Sequence, residues 1–580
     1  MAFYVAVLSL LIWGINSIAL EGNCSTPQVD LGYEIHEGVY NATGQFYNFS
    51  NIPYAQPPLG DLRFQAPVPF DVDCPTTPKP LNNGSRFSVC PQGAPAWTSV
   101  AVKWLTEGIG AINQSAGYQP PNITTLPTVA YGTSEDCLVL DILSPKNIFE
   151  SRGQGRGAAV LVWIHGGGYT LGWKTLYGSG AGLVRASESN GKEGVIYVAI
   201  NYRLGLFGFL SGPTFQMNGT ANAGLLDQRM ALEWIQQNIA KFGGDPHRVT
   251  VMGESAGGGS TIHQITAYGG SRGPAPFQQA IIQSGAFLPV PTNKRKEDLF
   301  QRFLATANVS TLQEARKLPT HALQLTNAIM VGEAPYGDFT FSKISYPSSN
   351  LHVYDFPTND AFIDPVVDGS FAPALPGPLL LDGQFDKSIK IVTGHNINEG
   401  IFFTSPFVPT PATFDQNVIL VSFPNTNASN TLNYITQTLY PPIFNGTYNY
   451  TNQIARAAEI VGEALFSCNA NYLDRAFGNR SYSYQFSVAP SLHGDDVPYT
   501  FYQSPNSAVL NDTLAVEMQE YFTNFAINGD PNGGGLPRFP TYYEDSPDGI
   551  VLDLNVSSIS TIPDVLANQR CAWWQKALYF

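Results

Sequence analysis

The chain is short of charge, and of positive charge above all. Charged residues make up 13% of its 580 positions, with 30 Lys and Arg against 45 Asp and Glu and a net charge of −15. An acidic surface repels phosphate backbones and anionic lipid, so no nucleic acid partner is expected. Cysteines are few, and no pair of the six has zinc-finger spacing, so neither a metal centre nor any other cofactor is implied. After the first residues no stretch is long and apolar enough to cross a bilayer, so no stable membrane anchor is expected. No internal repeat and no obvious linker divides the sequence, which speaks for one large domain over residues 20–580.

What is present begins with an apolar run, Phe3 to Trp13, followed by small residues at Ser17 and Ala19. It is too short to span a membrane and reads as a signal peptide over residues 1–19, although it lacks the usual basic start. Export fits the fourteen Asn-x-Ser/Thr sequons, from Asn23 to Asn555. Roughly six would arise by chance. Cys24, Cys74, Cys90, Cys137, Cys468 and Cys571 should then be paired, and six cysteines allow fifteen connectivities.

Hydrophobic residues, at 43%, suffice for a large core. Ala159–Ile164 and Val195–Ile200 are near-continuous apolar runs, as strands buried on both faces require. Gly224–Phe242 has helical spacing and stops at Gly243-Gly244. Further strands are read at Val249–Met252, Ala280–Gln283, Ile389–Thr393 and Ser481–Phe486, and helices at Arg456–Phe477 and Thr513–Ile527. Strand–helix–strand order of this kind predicts an α/β fold with a parallel sheet and right-handed crossovers. The stretch 295–385 is less regular and is expected to supply helices and loops at the rim. Between Cys90 and Cys137, Trp97, Ala101, Trp104, Leu105, Ile109 and Ile112 recur at helical spacing. That apolar stripe either packs on the body or forms a lid-like element over a site.

The chemistry centres on Gly253-Glu254-Ser255-Ala256-Gly257. A β-branched run precedes it and a helix-compatible segment follows, so the serine sits at a strand–turn–helix apex, and small residues on either side permit the sharp turn. A motif this short recurs by accident. Gly269-Gly270-Ser271-Arg272-Gly273 is a second match, but it lacks a preceding strand and is followed by Pro274 and Pro276, so it reads as loop. Serine needs a base to take its proton, and the base needs an acid to hold it. Of eight histidines, His493 lies in a loop after a predicted strand, where a base belongs, and all but it and His165 lie in helix, loop or rim contexts. His165 opens His165-Gly166-Gly167-Gly168 directly after a strand. Its glycines let backbone N–H groups approach a substrate oxygen and, with the N–H of Ala256, make an oxyanion hole. For the acid, Glu399 stands out just after the strand ending at Thr393, among many competing carboxylates.

These segments resemble the type-B carboxylesterase/lipase family, which includes cholinesterases and fungal lipases. The landmarks are Asn51–Pro58, Ser134–Leu138, His165–Tyr169, Asn201–Phe209, Asn222–Arg229, Phe242–Pro246, Gly253–Gly257, Asn398–Gly400 and Asn528–Asn532, which span nearly the whole chain. The resemblance implies an α/β-hydrolase fold and a secreted fungal esterase. It implies Ser255 as nucleophile, Glu399 as acid, His493 as base, and Gly167, Gly168 and Ala256 as oxyanion donors. It implies Cys90–Cys137 and Cys468–Cys571 bridges, leaving Cys24–Cys74, and the ion pairs Arg63–Glu135 and Arg203–Asp227. The expected substrate is a small-molecule or lipid ester. An interfacial lipase or sterol esterase is the alternative, motivated by the apolar stripe in residues 90–137. An adhesion-type member without chemistry is a remoter one. Neither Trp97 nor Trp104 aligns with the cholinesterases' choline-binding tryptophan, so cholinesterase activity is not expected.

Overall fold

The computed structural model describes residues 26–72, 78–287, 292–338, 364–408, 410–419, 423 and 430–579. The apolar runs form the middle of an 11-stranded sheet. Its strands in chain order are β1 (Val39–Asn41), β2 (Phe46–Pro53), β3 (Val139–Pro145), β4 (Ala158–Ile164), β5 (Val195–Ile200), β6 (Gly244–Glu254), β7 (Gln279–Gln283), β8 (Lys390–Asn396), β9 (Ser481–Phe486), β10 (Ile550–Leu554) and β11 (Ile559–Pro563). In space the order is β11-β10-β9-β8-β7-β6-β4-β5-β3-β2-β1. Every neighbouring pair from β5 across to β10 is parallel, and antiparallel pairing is confined to the two margins. A separate three-stranded sheet joins Gln28–Asp30, Ile35–Glu37 and Leu81–Asn82.

Both faces of the sheet are covered, which is why β4, β5 and β7 are buried along their whole length. Alternate residues of β4 enter different cores. Val160, Val162 and Ile164 pack with the helix Ala223–Asn238 and the helix Ala256–Ile265. Ala159, Leu161 and Trp163 pack with Leu514, Met518, Phe522 and Phe525 of the helix Asp512–Asn528. Gly243, at φ 95°, ends the segment Ala223–Phe242 as its sequence predicts.

Both resemblance-implied bridges that fall on described residues are present, Cys90–Cys137 and Cys468–Cys571. Cys24 and Cys74 lie outside the described residues, as does the segment read as a signal peptide. Arg63 meets Glu135 through two bonds of 2.8 and 2.7 Å, and Arg203 meets Asp227 likewise at 2.8 and 2.6 Å. Both pairs are buried. Removing one partner of such a pair costs about 3–5 kcal/mol, because the other is left charged and unpaired.

The stretch 295–385 supplies helices, as expected, in its first part: Asn293–Thr306, Leu312–Arg316 and Thr320–Gly332. The charged start Asn293-Lys-Arg-Lys-Glu-Asp masks an inward face of Leu299, Phe300, Phe303 and Leu304. One expectation needs correcting: His36, His247 and His395 lie within strands rather than in helix, loop or rim positions. Among the described residues, no helix is long and apolar enough to cross a membrane.

Candidate active site

β6 runs into Glu254, and a helix starts at Ala256, leaving Ser255 alone between them at φ 56° and ψ −123°. A non-glycine residue there costs on the order of 1–3 kcal/mol of backbone strain. Neighbouring contacts hold it. Ser255 N–H donates to the Gln283 carbonyl at 3.0 Å, and its own carbonyl accepts from Gly259 and Ala286. The flanking glycines are required by close approach. A Cβ on Gly257 would lie 2.0 Å from the Ile164 oxygen, and one on Gly253 would lie 2.4 Å from the Gly257 backbone. The sharp turn is thus wedged between β4 and its own helix.

The triplet after β4 lies against this turn, since a Cβ on Gly166 would lie 3.0 Å from Ser255 Cβ. Gly167 and Gly168 take φ values of 113° and 57°, which a side chain would strain. The His165 side chain is fully buried, stacked on Tyr202 with ring centroids 4.4 Å apart. Burial pulls its pKa down to about 4, so it stays neutral.

Glu399 follows β8 in a tight turn and is buried. Its Oε1 accepts from Ser284 Oγ and from the Asn396 N–H, both at 2.6 Å. Its Oε2 lies 2.5 Å from His493 Nδ1. The His493 loop is tied to the same turn, because the Asn398 N–H donates to the Ser491 carbonyl and the Ile397 N–H to Ser491 Oγ. The imidazole is packed between Phe403 and Phe466, at centroid distances of 5.0 and 4.4 Å. Burial works against its charged form. The Glu399 and then the Glu254 carboxylates outweigh that and raise the His493 pKa. Glu399 is held below the usual carboxylate range, with burial overcome by His493 and by the bonds from Ser284 and Asn396.

Ser255, Gly168, Ala256, Phe403 and Phe466 line one cavity of about 30 Å³, with Tyr169, Ala286, Phe287, Gly337, Asp364 and Leu465. The predicted serine, two of the predicted N–H positions and the two rings that clasp His493 therefore meet at one place. Ser271 is elsewhere, exposed, with its hydroxyl donating to the Tyr268 carbonyl. Sequence reasoning missed Glu254. Its Oε1 lies 3.3 Å from His493 Nε2, and burial raises its pKa against the opposing pull of that imidazole's charged form. Its place beside Ser255 was the available signal. It also missed Asp364, for which no local pattern gives warning. Among the described residues the one candidate metal cluster is Glu463, Cys468 and Cys571, and its sulfurs are bonded to each other.

The helix Trp97–Glu107 turns its predicted stripe inward. Trp97 and Ala101 are fully buried, and Trp104, Leu105 and Ile112 are partly buried against the core. Ile109 is exposed. Trp97 Nε1 donates to the Asp338 carbonyl, and Trp104 Nε1 to the Tyr336 hydroxyl at 2.7 Å.

Residues 26–574 match the Carboxylesterase family. A protein named carboxylesterase patB from Penicillium expansum is 39% identical over 570 residues, covering 95% of this chain and 96% of its own. Lipase 4 of Diutina rugosa is 30% identical, covering 89% and 90%. Among solved structures, Aspergillus niger EstA superimposes with a TM-score of 0.75 at 25% identity, covering 95% of this chain and 98% of its own. A serine on a strand-to-helix apex, an adjoining glycine triplet and a carboxylate-held histidine, set on an α/β-hydrolase sheet, agree with that kinship: the chain belongs to the carboxylesterase family and is a carboxylic ester hydrolase.

Proposed function

We infer that Ser255, His493 and Glu399 act as nucleophile, base and acid in a two-step acyl transfer on short-chain esters. The observation that carries the reading is the shared cavity of Ser255, Gly168 and Ala256, walled by the rings that clasp the Glu399-bound imidazole. His493 Nε2 takes the Ser255 proton as Oγ attacks the ester carbonyl. The carbonyl electron pair moves to oxygen, where the N–H groups of Gly167, Gly168 and Ala256 receive it. Collapse of the intermediate expels the alcohol, which leaves with the proton from His493. Water, deprotonated by the same histidine, attacks the acyl-enzyme and frees the acid and Ser255.

The short-chain preference rests on the small cavity and its wall of Ala286, Phe287, Phe403, Leu465 and Phe466. The inward packing of the helix in residues 90–137 leaves little apolar stripe to offer an oil surface, so esterase action is favoured over interfacial lipase action. Secretion as a glycoprotein is part of the reading. The two disulfides support it, and so do the sequon asparagines: among the described ones Asn48, Asn511 and Asn555 are half-buried and the rest exposed. A profile of kcat/KM across acyl chain lengths tests the reading. A maximum at two to six carbons (roughly) is expected. A rise toward long chains, with a jump in rate at the solubility limit, would overturn the short-chain assignment in favour of the lipase.

A further inference from the structure

Among the described residues, the cavity beside Ser255 is apolar apart from three polar side chains. One is Ser255 itself. The second, Tyr169, is satisfied, since its hydroxyl donates to the Ala286 carbonyl at 3.0 Å. The third is Asp364. Among the described residues it is the only carboxyl in the wall and its Oδ2 has no hydrogen-bond partner, and it is 3% exposed.

A buried carboxyl with an unmet oxygen is costly to keep unless a ligand or a water completes it. Ionisation is disfavoured by burial first and by the nearby Asp338 second, which together raise the Asp364 pKa well above the usual carboxylate range. A protonated carboxyl carries one O–H donor and keeps acceptor capacity. Asp364 therefore offers hydrogen bonding of both senses to whatever part of an ester enters beside Ser255. Apolar walls alone discriminate weakly between a hydroxyl and a methyl group. A buried polar group discriminates strongly, because the ligand that lacks its partner leaves it stranded.

We propose that Asp364 is a specificity-determining residue that hydrogen-bonds a hydroxyl or carbonyl oxygen on the ester group seated in this cavity, so that short oxygen-substituted esters are preferred over plain alkyl esters. The proposal rests on the reading of Ser255 as nucleophile and adds the substrate class.

The test is the ratio of kcat/KM for substituted over plain ester, followed by acid release with the full chain. One arm varies the acyl side, with ethyl 3-hydroxybutanoate and ethyl 3-oxobutanoate against ethyl butanoate. The other varies the alcohol side, with 3-hydroxybutyl acetate against butyl acetate. In one arm the wild-type ratio is expected to be about tenfold or more. It should fall to about one in Asp364→Leu and Asp364→Ala, and part of it should survive in Asp364→Asn, which still donates and accepts. A wild-type ratio of one or less in both arms overturns the proposal without any variant. So does a ratio unchanged in the folded Leu or Ala variant, even where that variant melts earlier, since a merely structural carboxyl would behave that way. If the wild type hydrolyses no ester faster than Ser255→Ala does, the reading of Ser255 falls instead.

Discussion

Gly253–Gly257 and Gly269–Gly273 spell the same five-residue pattern, and the surroundings of their serines differ at every level. Ser255 ends a buried strand of a parallel sheet and starts a helix, with φ 56° and ψ −123°. Ser271 closes a short 3₁₀ turn with φ −81° and ψ −13°, exposed, its hydroxyl occupied by the Tyr268 carbonyl. The glycines also differ in what they do. Around Ser255 they permit contact with the backbone of β4 and of the helix. After Ser271, Gly273 needs its freedom for a left-handed φ of 86°, and a Cβ there would meet nothing. The pattern sets a serine at a strained strand–helix apex only where a strand and a helix are forced together around it.

Breaking each serine gives the largest contrast. Ser255→Ala should lose about 10⁵-fold or more in kcat on a short ester, while Ser271→Ala should stay within about twofold. Equal losses would dissolve the distinction. Next in size is the support behind the imidazole. Glu399→Gln should lose about 10⁴-fold in kcat with a folded protein, because the amide no longer holds and compensates the imidazolium. A variant that stays active would make another carboxylate the acid.

The glycines extend the contrast to stability. Gly257→Ala drives a methyl against the Ile164 carbonyl and should cost about 3 kcal/mol or more in denaturant unfolding. Gly273→Ala should cost only about 1–2 kcal/mol, from backbone conformation alone. The smallest effect is on pH. His493 must be neutral to accept the serine proton, and its pKa is raised in the fold, so activity should be lost as pH falls through a midpoint above 6.5. Glu254→Gln removes one carboxylate that raises it and should move that midpoint downward. A midpoint that stays put or rises would remove Glu254 from the electrostatics of the site.

Much of this was legible in the sequence for a definite reason. Strands such as Ala158–Ile164 and Val195–Ile200 announce themselves because burial on both faces leaves little room for polar residues. The proposed serine, acid and base follow each other in the order that the strands of this sheet impose. His493 and Glu399 gained weight only with the family resemblance, since a loop histidine and one carboxylate among many carry no periodic signal. The helix Asn293–Thr306 was hidden by its charged first turn. Asp364 and the contact of Glu254 with His493 were illegible, because each depends on where distant segments meet and not on any local pattern.

The central claim is that Ser255, and no other serine, is the nucleophile. Treatment of the full chain with a fluorophosphonate, followed by peptide mass mapping, tests it directly. The account predicts one covalent adduct, on Ser255, formed in step with loss of esterase activity, no adduct in Ser255→Ala and an unmodified Ser271. An adduct on another serine that tracks the loss of activity, or esterase activity retained in Ser255→Ala, would contradict it.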